Sequence, residues 1–289
     1  MTLGEARKIA ISTLHSARRP SPSAGLDTDV LLSFFTGHPR AVIHAHPEYK
    51  LGDLSEPFFS AINSRSEGLP IAYITGRKEF YSLEFMVTPD VLIPKPDTEI
   101  LVERAIDLAR TPGSSGPIHI LDVCTGSGCI AIAIQHHVPQ CIVHATDISE
   151  AAIRIARINA EAHAPSVRLH VQDLRNGLCP PSLAKEVPLW DLIVSNPPYV
   201  PTPVARTLLE DGRNEPILAL DGGTDGLDLI KQLADQAYAS LRLGGSLLIE
   251  AGEYNAQAAA DYLKQAGYSD IVIHRDMESQ DRVIEGSKA

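Results

Sequence analysis

The stretch "IHILDVCTGSGCIAIAI", residues 118–134, constrains the fold more than any other. An apolar, β-branched run ends at Asp122-Val123, Gly126 and Gly128 turn the chain, and a second apolar run rich in alanine follows. Strand, glycine turn and helix open a βαβ unit, whose return strand pairs parallel to the first. The pattern then repeats. "CIVHAT", "VRLHV", "DLIVS", "SLLIEA" and segments near Ile271 and Val283 read as further strands. Helices are expected over 130–136, 150–163, 227–243 and 256–265. The prediction is an α/β fold: a doubly wound, mostly parallel, seven-stranded sheet whose first five strands are ordered 3-2-1-4-5.

The preceding chain reads differently. Leu3, Ala6, Ala10 and Leu14 fall at helical spacing, and Asp27-Thr28 stands before the apolar run "VLLSFF", which Gly37 closes. Ser55-Glu56 opens another helix carrying Phe58, Phe59 and Ile62. A helical bundle is expected over 1–75, a β-hairpin linker over 76–95, and the α/β domain over 96–289. Asp97 and Thr98 read as the N-cap of a helix beginning "EILVERAIDLA". "TPGSSGP" at 111–117 reads as a flexible connection.

Glycines after a strand let a ligand approach the backbone where a Cβ would block it, and the following helix offers free N–H groups. Asp147 closes the next strand, where a carboxylate can accept hydrogen bonds from ribose hydroxyls. An adenosine-containing ligand fits this pair of features; turn glycines with Asp147 as a helix cap are the alternative. Gly126-Ser127-Gly128-Cys129-Ile130-Ala131 also satisfies the dinucleotide fingerprint G-x-G-x-x-A. The turn therefore leaves open a dinucleotide or S-adenosylmethionine. Asp122 leans toward a ligand bearing an ammonium or sulfonium charge.

The fourth strand stops on Asn196-Pro197-Pro198-Tyr199. Neither proline can donate to a ladder and both fix φ, so the turn is rigid. In a 3-2-1-4-5 sheet this loop and the glycine turn face one crevice. A conjugated NH2 group is a poor nucleophile unless its lone pair is aimed. The Asn196 oxygen and the Pro197 carbonyl can accept its two N–H bonds, and Tyr199 offers a flat face. A strand-ending turn in which Asn196 bonds its own backbone is the bland reading.

Bulk properties narrow the classes. Net charge is −11, and charges balance up to Thr75, so the deficit lies in the remainder. That disfavours nucleic acid as the main partner. The four cysteines form no C-x-x-C pair and the histidines no metal spacing, so no metal is expected. The chain shows neither a signal-peptide core nor a membrane span, and a cytoplasmic protein is expected. The residues alone leave three rivals: a methyltransferase of the adenine amino group, a nicotinamide-dependent dehydrogenase, and a non-catalytic adaptor.

"PIAYITGRKEF", "LIPKPDTEILVE", "ILDVCTGSG", "DLIVSNPPYV", "EPILALDGGTDGLDLI", "LLIEAG" and "DRVIEG" together resemble the release-factor glutamine methyltransferases, the HemK/PrmC family. The resemblance runs from about Pro70 to the C-terminus. It implies a Rossmann-like fold using S-adenosylmethionine. It also implies methyl transfer to the side-chain amide nitrogen of the glutamine in the Gly-Gly-Gln motif of class 1 peptide chain release factors, which supports translation termination. By position, Asn196, Pro197, Pro198 and Tyr199 hold the glutamine amide. Asp122, Cys124, Thr125, Gly126, Ser127, Gly128, Asp147, Ile148, Asp173, Leu174 and Asn196 line the cofactor, Asp173-Leu174 flanking adenine. The helical domain docks the release factor, and a monomer is expected. Lys95 and Asp97 stand where the family has Arg and Glu, Cys124 replaces a commoner Gly, some members carry Trp at Leu174, and Asn255 replaces Gln. The "EPILALDGGTDGLD" segment is expected to be a lid.

Overall fold

The computed structural model describes residues 1–111, 116–209, 212 and 214–289. Most of the connection expected at 111–117 lies outside the described residues. The chain forms two compact units, Met1–Arg77 with Leu208–Asn214, and Lys78–Thr207 with Glu215–Ala289.

The first unit holds α1 (Leu3–Ser16), α2 (Ala24–Thr36), α3 (Arg40–Ala45), α4 (Ser55–Ser66) and α5 (Ile71–Thr75). Thr2 and Glu5 form a capping box at the start of α1. Leu3, Ala6, Ala10 and Leu14 bury against Leu31, Leu32, Ile43, Phe58 and Ile62. Asp27-Thr28 lies inside α2 rather than ahead of it. Instead of capping, the Asp27 carboxylate accepts from Ser21 Oγ at 2.7 Å, Ser23 Oγ at 2.9 Å and Arg65 Nε at 2.7 Å. Three side-chain donors, one of them a charged guanidinium, hold the carboxylate more strongly than a first-turn N–H would. Arg65→Met strands this carboxylate and should cost the unit about 2–3 kcal/mol, given that breaking a partly buried pair leaves a charge unpaired. Hydrogen exchange of the α2 and α4 amides checks it; protection reduced by under about 1 kcal/mol would contradict it.

In the second unit β1 (Arg77–Phe80) and β2 (Leu83–Met86) form a hairpin, followed by α6 (Glu99–Arg110). Then come β3 (His119–Val123), α7 (Cys129–His137), β4 (Ile142–Asp147), α8 (Glu150–His163), β5 (Arg168–Val171) and α9 (Pro181–Glu186). After β6 (Trp190–Ser195) follow α10 (Thr202–Leu209), α11 (Asp228–Ser240), β7 (Leu241–Glu250), α12 (Ala256–Gln265), β8 (Ser269–Arg275) and β9 (Asp281–Ser287). The seven-stranded sheet is ordered β5-β4-β3-β6-β7-β9-β8, parallel except where β9 pairs antiparallel with β7 and β8. The expected order of the first five strands is the observed one.

Side chains alternate between two cores because successive residues of a strand face opposite ways. Ile120, Leu192 and Val194 join Phe80, Phe85, Leu101 and Ile130 on one face. Leu121, Ile193 and Leu247 join Ile230, Leu233 and Leu263 on the other. Each such side chain contributes about 1.5–3 kcal/mol on burial. Burial on both faces is why these strands read as continuous apolar runs. Register then sets function: Val123 pairs with Thr146 and Ser195, and Ser195 with Ile249. Asp147, Cys124, Asn196 and Glu250 therefore leave the sheet at one level. Among the described residues, no helix is long and apolar enough to cross a membrane.

Candidate active site

A cavity of about 600 Å³ opens at this edge, at the point where the chain turns one way after β3 and the other after β6. Cys124, Thr125, Gly126, Ser127, Asp147, Ile148, Asp173, Leu174, Asn196 and Pro198 line it. Asp122, Gly128, Pro197 and Tyr199 do not; Pro197 is buried.

Asp122 is fully buried beneath the turn. Its Oδ2 accepts from Thr125 Oγ1 at 2.6 Å and from Ala131 N at 3.2 Å, while Oδ1 has no partner. Burial pushes its pKa up to about 7, and the nearby Asp147 carboxylate adds to the rise. It braces the turn instead of facing a ligand. Gly128 is required by packing: a Cβ would stand 2.8 Å from Ile132 Cδ1 and 3.2 Å from Ala156 Cβ, where α7 meets α8. A Cβ on Gly126 would meet nothing within 4 Å, so that side of the turn is open.

Asp147 accepts from Gly126 N at 2.9 Å and Ser149 N at 2.8 Å. Burial raises its pKa against these bonds. Ser149, not Asp147, caps α8, accepting from Ala152 N at 3.1 Å. The carboxylate is thus fixed in place with lone pairs to spare for a diol. Asp173 accepts from Arg175 N and its guanidinium, and Leu174 is buried beside it. Cys124 takes φ 61, the left-handed region, which explains why a glycine suits this position. Burial pushes its thiol pKa upward, which disfavours the reactive thiolate.

Asn196 Nδ2 donates to Thr98 Oγ1 at 3.1 Å. Thr98, expected as an N-cap, makes no capping bond because its hydroxyl is used here. The Tyr199 hydroxyl donates to Glu250 Oε1 at 3.1 Å, which anchors the ring. Glu250 is only 1% exposed and its Oε2 has no hydrogen-bond partner. Burial pushes its pKa up to about 7, against the Thr98 and Tyr199 hydroxyls that pull it down. A carboxylate closing the apolar strand "SLLIE" was the signal in the sequence that could have pointed to it.

The Gly/Asp segment is a wall bonded to this loop. Val200 N donates to Leu220 O at 2.9 Å, Gly222 N to Val200 O at 2.9 Å and Thr202 N to Gly223 O at 2.8 Å. Pro216, Leu218, Ala219, Asp221, Gly222 and Gly223 line the cavity. Lys95 Nζ meets buried Glu215 Oε1 at 2.6 Å, a single-point contact that an ammonium satisfies as well as a guanidinium. Asn255 Nδ2 reaches Tyr199 O at 3.0 Å, so the shorter side chain still makes contact. Among the described residues no group of three His, Cys, Asp or Glu could hold a metal.

An open glycine face, a fixed carboxylate and this volume fit an adenosine-bearing ligand. Residues 5–76 match the PrmC N-terminal domain family and residues 100–210 the Methyltransferase small domain family. The Release factor glutamine methyltransferase of Koribacter versatilis is 37% identical over 290 residues, 100% of this chain and 99% of the relative. That of Moorella thermoacetica is 38% identical over 284 residues, 98% and 97% of the two chains. Among solved structures, the hMettl16 catalytic domain in complex with a 3'UTR hairpin superposes with TM-score 0.58 at 13% identity, covering 79% of this chain and 81% of that one, a likeness of fold alone. Full-length identity at this level, with both domains matched, shows that the chain belongs to the release factor glutamine methyltransferases and that its methyl donor is S-adenosylmethionine.

Proposed function

We propose that this chain methylates the side-chain nitrogen of the glutamine in the Gly-Gly-Gln motif of class 1 release factors. The Asn196 side-chain oxygen and the Pro197 carbonyl are the acceptors that orient the amide. The observation that carries this is the register: Cys124, Asn196 and Asp147 leave the sheet at one level, beside one cavity. Bound S-adenosylmethionine supplies a methyl group made electrophilic by a sulfonium. The chain's residues do the rest. Asp147 takes the ribose hydroxyls, Asp173 and Leu174 flank the adenine, and residues 124–127 line the methionine portion.

An amide lone pair is delocalised into its carbonyl, so positioning matters more than a base. With both N–H bonds accepted in a rigid loop, the amide nitrogen is held in one orientation. S-adenosylmethionine would supply the methyl group and leave as the neutral thioether, and the methylated nitrogen would give its proton to water. The helical unit docks the release factor, and the protein acts as a monomer in the cytoplasm.

Mass spectrometry of a class 1 release factor after incubation with the protein and S-adenosylmethionine should find one methyl group on that glutamine. Label appearing on DNA alone would overturn the reading. Asp147→Ala should weaken S-adenosylmethionine binding about 100-fold by calorimetry, since two hydrogen bonds to a charged group are lost. An unchanged affinity would remove Asp147 from the ribose site.

A further inference from the structure

Hydrogen-bond direction around Asn196 carries a further inference. A carboxamide has one accepting end and one donating end, and only the oxygen can receive a substrate N–H. Here Nδ2 donates to Thr98 Oγ1 at 3.1 Å. A threonine hydroxyl that accepts this bond has a single proton left to give. The acceptor within its influence is the buried Glu250 carboxylate, whose pKa the Thr98 hydroxyl lowers; Glu250 is the next residue along β7 after Ile249, which pairs with Ser195. Glu250 takes the Tyr199 hydroxyl on Oε1, and its Oε2 is buried without a partner.

We propose that Thr98 and Glu250 are positioning residues that decide which end of the Asn196 carboxamide faces the substrate. Glu250 receives the Thr98 proton, Thr98 offers Asn196 only a lone pair, and Oδ1 is left for the substrate amide. The inference rests on the amide-clamp role proposed for Asn196. If Glu250 carries a proton, the chain can reverse: Glu250 donates to Thr98, Thr98 donates to Oδ1, and the NH2 end of Asn196 opposes the substrate NH2.

Burial sets Glu250 near 7, so reversal begins as the pH falls through that value. The other groups acting on it are Tyr199 from the loop after β6, Asp97 ahead of α6, Arg282 on β9 and, across the core, Cys129 on α7.

Steady-state kinetics on a class 1 release factor across pH 6–9, with N196A, T98V, T98S and E250Q, tests this. In wild type, kcat should fall below about pH 7. T98V should lose roughly tenfold or more in kcat, having left the Asn196 Nδ2 donor without its partner, with KM and melting temperature little moved. T98S keeps the hydroxyl and should recover to within about threefold. With Tyr199 held on its oxygen, a glutamine at 250 turns its NH2 toward Thr98. E250Q should therefore show the low kcat of acidified wild type at every pH, without the acid limb. An acid limb that survives in E250Q belongs to a group other than Glu250 and counts against the proposal.

Turnover retained in N196A removes the clamp, and this inference with it. N196A inactive while T98V and E250Q turn over normally removes this inference and leaves the clamp standing. T98S as impaired as T98V, or losses that track melting temperature, would mean a structural role only.

Discussion

Asn196→Ala should lower kcat by roughly 100- to 1,000-fold, the range seen when one preorganised polar group aimed at a reacting centre is removed. The side chain sits where the register of β3, β6 and β7 brings the glycine turn and the substrate loop to the same edge. Its loss frees one N–H of the substrate amide and lets the nitrogen rotate away from the methyl carbon. Water can satisfy that N–H but cannot aim it. Binding of S-adenosylmethionine should change by less than about tenfold, because Asp147 and the glycine turn are untouched. Single-turnover transfer and calorimetry on the same variant separate the two effects. Turnover within tenfold of wild type would end the amide-clamp reading.

Gly226→Ala should be the most damaging substitution that touches no reacting group. A Cβ built there lies 2.2 Å from Tyr199 O, and the residue has φ 76, where L side chains are strained. The carbonyl it would strike cannot move freely. It already accepts from Asn255 Nδ2 at 3.0 Å, and Val200 next to it is bonded to Leu220 and Gly222. Strain and overpacking together should cost about 2–4 kcal/mol. A loop shift near 1 Å should also lower kcat about 100-fold, as misplacement of a positioning group does. Thermal unfolding and kcat measured together check this. A stable variant with wild-type turnover would show that the glycine segment is not the buttress of Asn196-Pro197-Pro198-Tyr199.

That segment illustrates what sequence could and could not say. Its glycines and aspartates fit a lid or a solvated connection equally well, because the same residues suit any sharp turn. Only the main-chain bonds to Val200 and Thr202 make it a fixed wall. Tyr199 is a similar case. Its phenol suggests a stacking platform, and only the structure shows that its hydroxyl finds the buried Glu250. Thr98 carries a helix-cap signature and spends its hydroxyl on Asn196.

By itself the sequence determined the alternation of strands and helices, the order of the first five strands, the glycine turn, the acidic strand end and the rigid loop after the fourth strand. Those features are local: periodicity, turn chemistry and the rules linking βαβ units act over neighbouring residues. The tertiary structure decided which polar side chains face the ligand and which face one another. Asp122 and Asp147 are both strand-end carboxylates, yet one is sealed under the turn and the other borders the cavity. Hydrogen-bond partners such as Thr98 with Asn196, or Tyr199 with Glu250, come from segments far apart in the chain. Their choice depends on which acceptors remain unpaired once the sheet has formed, and no local pattern records that.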